Sequence, residues 1–301
     1  FDNICGAVQK LVEIISIKIL SQLYKKYKFQ HFSISGGVSM NIKMNKIIKD
    51  LPFVKNFIVQ PSGGDESLAM GGCFLENGFN SKPLKNIYLG RDLFDDLSEN
   101  SFLNYVKRKK NLKIKTNCLP KNIANLLSKG NVVAVARGRE EFGARALGNR
   151  SILADPSNIK IVQKINEQIK NRDFWMPFAL SILKEKHKKF LKNQKNIISE
   201  YMTIGYDTIE KKHNFIEAGT HRYDRSVRPQ ILEKMSNKNY HKLIVEFYMK
   251  KKIPALLNTS LNLHGYPIAS TIKEVLNTFQ NSDLKFLYVN DKFLVEKKNE
   301  N

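Results

Sequence analysis

Gly138-Arg139-Glu140-Glu141-Phe142-Gly143-Ala144-Arg145-Ala146-Leu147-Gly148-Asn149-Arg150-Ser151-Ile152-Leu153-Ala154-Asp155-Pro156 follows directly on the apolar run Val132-Val133-Ala134-Val135-Ala136. The run reads as a buried strand, and the segment after it carries three glycines and three arginines. Glycine lets backbone approach a ligand closely, and arginine offers a planar, permanently charged fork that matches phosphate oxygens. A strand ending in such a segment suits an α/β layer that holds an anion. The plainer alternative is a loop whose arginines lie in water or pair with Glu140 and Glu141.

Working outward, the 301 residues, 42% of them hydrophobic, suffice for a sizeable core and suggest two domains. The stretch Leu11 to Leu23 is broken by Glu13 and Lys18, so it reads as an amphipathic helix and not as a membrane span. The chain opens on Phe1, so the lack of a visible signal peptide carries no weight. Cys5, Cys73 and Cys118 are far apart, without metal-type spacing, and each is expected as a small buried hydrophobe in a cytoplasmic protein. The net charge of +22 could draw nucleic acid, an anionic surface or phosphorylated substrates. The basic clusters Lys107 to Lys110, Lys184 to Lys195 and Lys250 to Lys252 are dominated by lysine and lack interleaved aromatics. That pattern argues against a nucleic-acid interface and for a lysine-rich solvated surface.

Elsewhere the spacing predicts a helix from Asn3 to Tyr27, a strand His31 to Ile34, a helix to Asp50 and a strand Phe57 to Gln60. A helix Glu66 to Leu75 follows, then a short strand Ile87 to Leu89 and a helix within Asp92 to Lys110. The domain boundary is expected near residues 95 to 115, giving units 1–100 and 101–301. The second unit should hold helices Pro120 to Ser128, Asn158 to Ile169 and Asn239 to Lys250. Its strands are expected at Val132, Met202 to Tyr206 and Ile253 to Leu257. Thr271 and Glu274 suggest a capping box, and Asn290-Asp291 a closing hairpin turn.

Gly36-Gly37 and Gly63-Gly64-Asp65 each lie between a strand and a helix start, where exposed backbone N–H groups bind phosphate. Asp65 there could ligate a metal that bridges nucleotide phosphates, or simply cap the helix. Asn258-Thr259-Ser260 and Asn262 follow a buried strand, and their amides and hydroxyls could hydrogen-bond a carbamoyl group or only shape a turn. Arg172 precedes the single Trp175, in a loop that could be packing alone; His221, Asp224, Arg228 and Gln230 form a polar stretch that could be a solvated turn. Ser260 and His264 have no triad orienter, so serine-hydrolase chemistry is set aside.

The stretches Ser35 to Asn41, Gln60 to Asp65, Gly138 to Pro156, Pro177-Phe178-Ala179 and Leu257 to Asn262 occur in this order. Together they resemble the carbamoyltransferases of nodulation-factor and antibiotic biosynthesis (the NodU and CmcH family), over nearly the whole chain from about residue 30 to 295. The resemblance implies an α/β protein: a partial actin-like (ASKHA) nucleotide-binding domain followed by a YrdC-like α/β domain. It implies that ATP and carbamoyl phosphate give carbamoyl-adenylate and pyrophosphate, and that the carbamoyl group passes to a hydroxyl of a sugar or related metabolite. Arg145, Arg150 and Arg172 would hold the phosphates, and Asn258, Ser260 and Asn262 would line the carbamoyl-adenylate pocket. Gly36, Gly37, Asn41, Gly63 and Gly64 would lie near the nucleotide, and Asp65 would ligate a divalent metal, iron or magnesium.

Members of that family also carry an upstream histidine pair, which the six histidines here do not supply. The expectation is therefore either the carboxyl part of a split or truncated enzyme, or a chain whose remainder is supplied by another chain. An RNA-binding or tRNA-modification-associated module, and a catalytically incomplete scaffold, stand as alternatives.

Overall fold

Apolar side chains at Ile4, Val8, Leu11, Ile15 and Ile19 recur at helical spacing, and the chain runs as helix α1 over Asp2–Tyr27. The computed structural model describes residues 2–170 and 177–298. After α1 come strand β1 (His31–Ile34), helix α2 (Ile42–Asp50), strand β2 (Asn56–Val59) and helix α3 (Leu68–Asn77). β1 and β2 pair in parallel, His31 opposite Asn56 and Ile34 opposite Val59. Both glycine turns therefore leave the carboxyl ends of adjacent parallel strands, where ligands of α/β layers bind.

Helix α4 (Glu99–Arg108) is capped by Ser98, whose Oγ accepts the Ser101 amide, and it buries Phe102 and Val106. The chain continues through β3 (Leu112–Lys115), α5 (Pro120–Ser128), β4 (Val133–Ala136), β5 (Arg150–Ala154), α6 (Lys160–Ile165) and β6 (Ala179–Leu183). There follow β7 (Tyr206–Asp207), β8 (Ser226–Val227), β9 (Pro229–Leu232), α7 (Lys238–Lys251), β10 (Ala255–Ser260), α8 (Ile272–Gln280), β11 (Phe286–Val289) and β12 (Phe293–Lys297). Eight of these strands form one mixed sheet in the order β3-β12-β11-β4-β5-β10-β6-β9, parallel only at β11–β4 and β6–β9. Every residue of β4, β5 and β6 is buried, so their apolar runs need no polar alternation. The protein is thus a mixed α/β structure.

Several expected elements differ. Ile87 to Leu89 forms no strand; Ile87 O and Gly90 N instead bond to Phe142 N and Glu140 O of the arginine segment. The second half of that segment is a strand, β5, paired antiparallel to β4. The Met202 to Tyr206 strand shrinks to β7, because Thr203 and Ile204 donate their amides to the Ser199 hydroxyl and leave the ladder. The expected helix to Ile169 widens after Ile165 into a π-turn over Asn166–Lys170. Thr271 heads α8 but makes no side-chain cap; Glu274 accepts the Ser270 amide at 2.7 Å instead. Cys5 and Cys73 are exposed, and only Cys118 is buried as expected. The closing hairpin forms as read, with Asn290 and Asp291 both at positive φ. Among the described residues no helix is long and apolar enough to cross a membrane.

Candidate functional site

The arginine segment is held from inside by Glu141. Its buried carboxylate takes the amides of Leu147 at 2.6 Å, Asn149 at 2.7 Å and Arg150 at 3.2 Å through one oxygen. Glu140 instead accepts from the Ser270 hydroxyl at 2.6 Å. Neither acid is therefore the loop-arginine partner that the plainer reading supposed. Gly148 at φ +111 lies against the Tyr240 ring, where a Cβ would overlap the aromatic carbons.

Arg150, expected as a phosphate clamp, is instead fully buried in β5. Its guanidinium donates to Ser270 O at 2.7 Å, Arg137 O at 2.6 Å, Asn149 O at 3.1 Å and Gly138 O at 3.0 Å. Burial pulls its pKa down, and the neighbouring Glu141 and Glu140 oppose that pull. A guanidinium engaged by four carbonyls fastens the segment and has no fork left for an oxyanion.

Arg145 is placed differently. It lines one cavity with Pro177, Phe178, Arg228, Asn258 and Ser260. A second hollow, with Met40, Ser62 and Tyr201, and a third, with Lys43 and His221, also open onto Arg145. Two of the residues expected for the carbamoyl pocket, Asn258 and Ser260, thus share a wall with the expected arginine. The strand runs on past Leu257 to Ser260, so Asn258 lies within β10, opposite Leu153 and Ala179, and donates its amide to Ala146 O and to Ser181 Oγ, both at 3.0 Å. Its Oδ1 is buried without a hydrogen-bond partner among the described residues. A buried carbonyl oxygen left so costs about 1–3 kcal/mol, which a ligand N–H would recover.

Ser260 and Asn262 are bonded to each other at 2.7 Å, and both meet the ammonium of Lys170, at 3.2 Å from Ser260 Oγ. Lys170 is almost fully buried at the end of the π-turn, and its carbonyl accepts or faces His264 Nδ1 at 2.9 Å. Sequence reading missed this lysine, because a cation in the last turn of a helix is explained by the helix dipole alone. Its closeness to β10 follows only from the chain pairing across the sheet. Arg172 lies outside the described residues.

The two glycine turns pack on each other. The Ser39 hydroxyl donates to Gly36 O at 2.6 Å, and a Cβ on Gly63 would come within 2.7 Å of that hydroxyl and 3.2 Å of Gly36 O. Asn41 is an N-cap: its Oδ1 accepts the Met44 amide at 3.0 Å, and its Nδ2 donates to Gln9 of α1 at 2.8 Å. Gly37 and Gly64 sit at the starts of the 3-10 turns that enter α2 and α3. Asp65 is exposed, with Glu66 beside it turned to the Ser62 hydroxyl. Among the described residues no three His, Cys, Asp or Glu side chains converge as a metal site. Asp65 alone does not make a cation site.

Contacts between the first layer and the large sheet close the cavity. Asn45 of α2, fully buried, donates to Ser39 O at 2.6 Å and to Thr203 O at 2.7 Å. Lys43 pairs with Asp224 and Lys46 with Asp207, each at 2.9 Å. Burial works against the charged form of Asp224, but the Ser226 hydroxyl and Lys43 outweigh it and hold the carboxyl well below its ordinary range. Asp224 also lies 3.2 Å from His221 Nδ1; residues 222–225 are an exposed turn, which Asp224 ties to α2 through Lys43. Gln230 is buried and links Ser181 to Leu147 O, which ties the Asn258 side chain to the arginine segment.

Two family models match the chain: carbamoyltransferase C-terminus over residues 124–297 and carbamoyltransferase N-terminus over residues 2–74. An uncharacterized protein of Methanocaldococcus jannaschii is 35% identical over 293 residues, 96% of this chain and 55% of that protein. Nodulation protein NolO of Bradyrhizobium diazoefficiens is 29% identical, over 98% of this chain and 55% of its own length. The chain spans about half the length of the curated relatives it matches. Full-length HypF in its phosphate- and nucleotide-bound form aligns with 62% of this chain and 22% of its own, at 16% identity and a TM-score of 0.37. With both family models in place, one of them over the greater part of the sequence, the chain belongs to the carbamoyltransferase family.

Proposed function

We propose that this chain carries the carbamoyl-adenylate site of an O-carbamoyltransferase. The observation that carries the reading is the cavity in which Arg145, Asn258 and Ser260 meet, with the buried Asn258 Oδ1 left to accept one hydrogen bond. A carbamoyl group has an NH2 to give that oxygen and a carbonyl oxygen to receive a hydroxyl or ammonium hydrogen. Arg145 supplies fixed positive charge where phosphate charge must be held and where it grows during transfer.

In this reading carbamoyl phosphate loses inorganic phosphate to water. The freed carbamate oxygen attacks the α-phosphorus of ATP, and pyrophosphate leaves. An acceptor hydroxyl then attacks the carbamoyl carbon, expelling AMP and releasing its proton. Arg145, with Arg172, holds the anions; the buried Lys170 ammonium, which donates to Ser260 and Asn262, fixes the pocket wall, and Arg150 only fastens the loop that presents Arg145. The large sheet and its loops are read as a YrdC-like unit, 101–301, and the β1–β2 layer as part of an actin-like ATP-binding unit, 1–100. The paired glycine turns would approach the nucleotide, and Asp65 would contribute one metal ligand to a set completed elsewhere. The acceptor is read as a sugar or related metabolite, as the resemblance to the NodU and CmcH family implies, and the setting as the cytoplasm.

Titration calorimetry with carbamoyl phosphate tests the cavity. The wild-type chain is expected to bind it, and Arg145→Ala to weaken binding at least about tenfold, the loss of one charge-assisted contact. Equal affinity in both proteins would remove Arg145 from the site.

A further inference from the structure

Three polar side chains cross the large sheet at a depth where apolar ones are the rule. Asn258 of β10, Ser181 of β6 and Gln230 of β9 stand on adjacent strands. Ser181 is paired with Gln230 across β6–β9, and Asn258 lies diagonally from Ser181 across β10–β6, opposite Ala179. All three are buried, at 1%, 0% and 2% exposure, and Ser181 and Gln230 are the only polar side chains of β6 and β9. Apolar residues of the same shape would hold such a sheet equally well, so packing alone does not account for the row.

The row has a fixed direction. Leu147 O can only accept, so Gln230 turns its Nε2 to it at 3.1 Å and its Oε1 to Ser181. That amide oxygen also can only accept, so the Ser181 hydroxyl donates to it at 2.7 Å. With its one hydrogen committed there, Ser181 offers Asn258 a lone pair and nothing else. Asn258 answers with Nδ2, whose two hydrogens are taken up by Ser181 Oγ and Ala146 O, both at 3.0 Å. The polar atom left over is Oδ1, an acceptor. A reversed amide would set Oδ1 against Ala146 O and against a hydroxyl with no hydrogen to give.

We infer, on the reading of the cavity proposed above, that Ser181 and Gln230 are positioning residues that make the site select a carbamoyl group over an acetyl group. The two groups share size and shape, and differ in carrying NH2 or CH3 beside the same carbonyl. An amide held with its oxygen free rewards the N–H and is left unpaired by the methyl. Ser181→Ala removes the lone pair that holds the Asn258 amide. Gln230→Leu frees the Ser181 hydrogen, which a reversed Asn258 would then accept, leaving Nδ2 over.

Titration calorimetry on the chain with carbamoyl phosphate and with acetyl phosphate reads the preference. The wild type is expected to favour carbamoyl phosphate at least about tenfold, and each variant to bring that ratio to about threefold or less. General loosening of the cavity would weaken both anions alike and leave the ratio where it was, and either variant with unchanged circular dichroism serves. A wild type that binds both anions equally, or folded variants that keep the preference, would overturn the inference and leave the anion site standing. A wild type that binds neither anion would remove the function proposed for the cavity, and the inference with it.

Discussion

Gly143 of the arginine segment rests directly against Ser62 of the second glycine turn: a Cβ on Gly143 would overlap the Ser62 side chain, and its φ is +97. Through this contact the segment that presents Arg145 is seated on the turn that precedes Asp65, and one hollow is bounded by both. Gly143→Ala should therefore cost about 1–3 kcal/mol from the backbone conformation alone, with further loss as the two loops part. Chemical denaturation would measure it, and Gly143→Ala should also reduce carbamoyl phosphate binding although it removes no polar group.

Arg145 and Arg150 are five residues apart and should respond oppositely. Arg150→Ala would strand four buried carbonyls and is expected to lose upwards of about 3 kcal/mol of unfolding free energy. Arg145→Ala should stay within about 1 kcal/mol of wild type while losing anion binding. Urea melts run beside calorimetry separate the two, and equal destabilisation would contradict the roles assigned.

At Asn258 the amide nitrogen is engaged and the oxygen is not, so two substitutions should differ. Asn258→Asp keeps the shape but faces carboxylate oxygens toward Ala146 O, and should cost about 1–3 kcal/mol more than it gains. Asn258→Ala should be milder in stability and equally damaging to carbamoyl phosphate affinity. The comparison of thermal melts with binding isotherms checks both.

His187 and His213 set a pH dependence. Burial lowers both pKa values, assisted by Lys188 and Lys184 near His187 and by Arg225 near His213. His187 Nδ1 faces Lys184 O at 2.5 Å, and Nε2 faces the Asn193 amide at 3.1 Å, an arrangement for a neutral ring. The unfolded chain thus binds more protons below the ordinary histidine value of 6.5, so stability should fall as pH drops through 6.5 toward the lowered native values. Unfolding midpoints measured between pH 7.5 and about 5 should show that slope, and His187→Gln should flatten it.

Periodicity was enough for the helices: α1, α2, α5 and α7 lie within a residue or two of their expected bounds, because each carries a clear apolar face. The wholly buried β4 was legible as an apolar run. β5 was not, since Arg150 and Ser151 open it and its ladder partners, β4 and β10, are set across the sheet. The same limit applies at the site. Spacing marked Arg145, Asn258 and Ser260 as polar groups beyond strand ends, and they do share a cavity. It could not divide Arg145 from Arg150, because identical side chains differ only in which way the loop turns them. Lys170 and Glu141 stayed hidden for a related reason: each has an ordinary local explanation, and their partners lie in loops or on β10, out of reach of any local pattern.

The central claim is that this chain's cavity is where carbamoyl-adenylate forms. The most direct measurement is pyrophosphate release from ATP by the chain supplied with the part of its relatives that lies outside the match, with and without carbamoyl phosphate. Release that requires carbamoyl phosphate and drops about a hundredfold or more in Arg145→Ala is the predicted result. Release that proceeds without carbamoyl phosphate, or that is unchanged by Arg145→Ala, would contradict it.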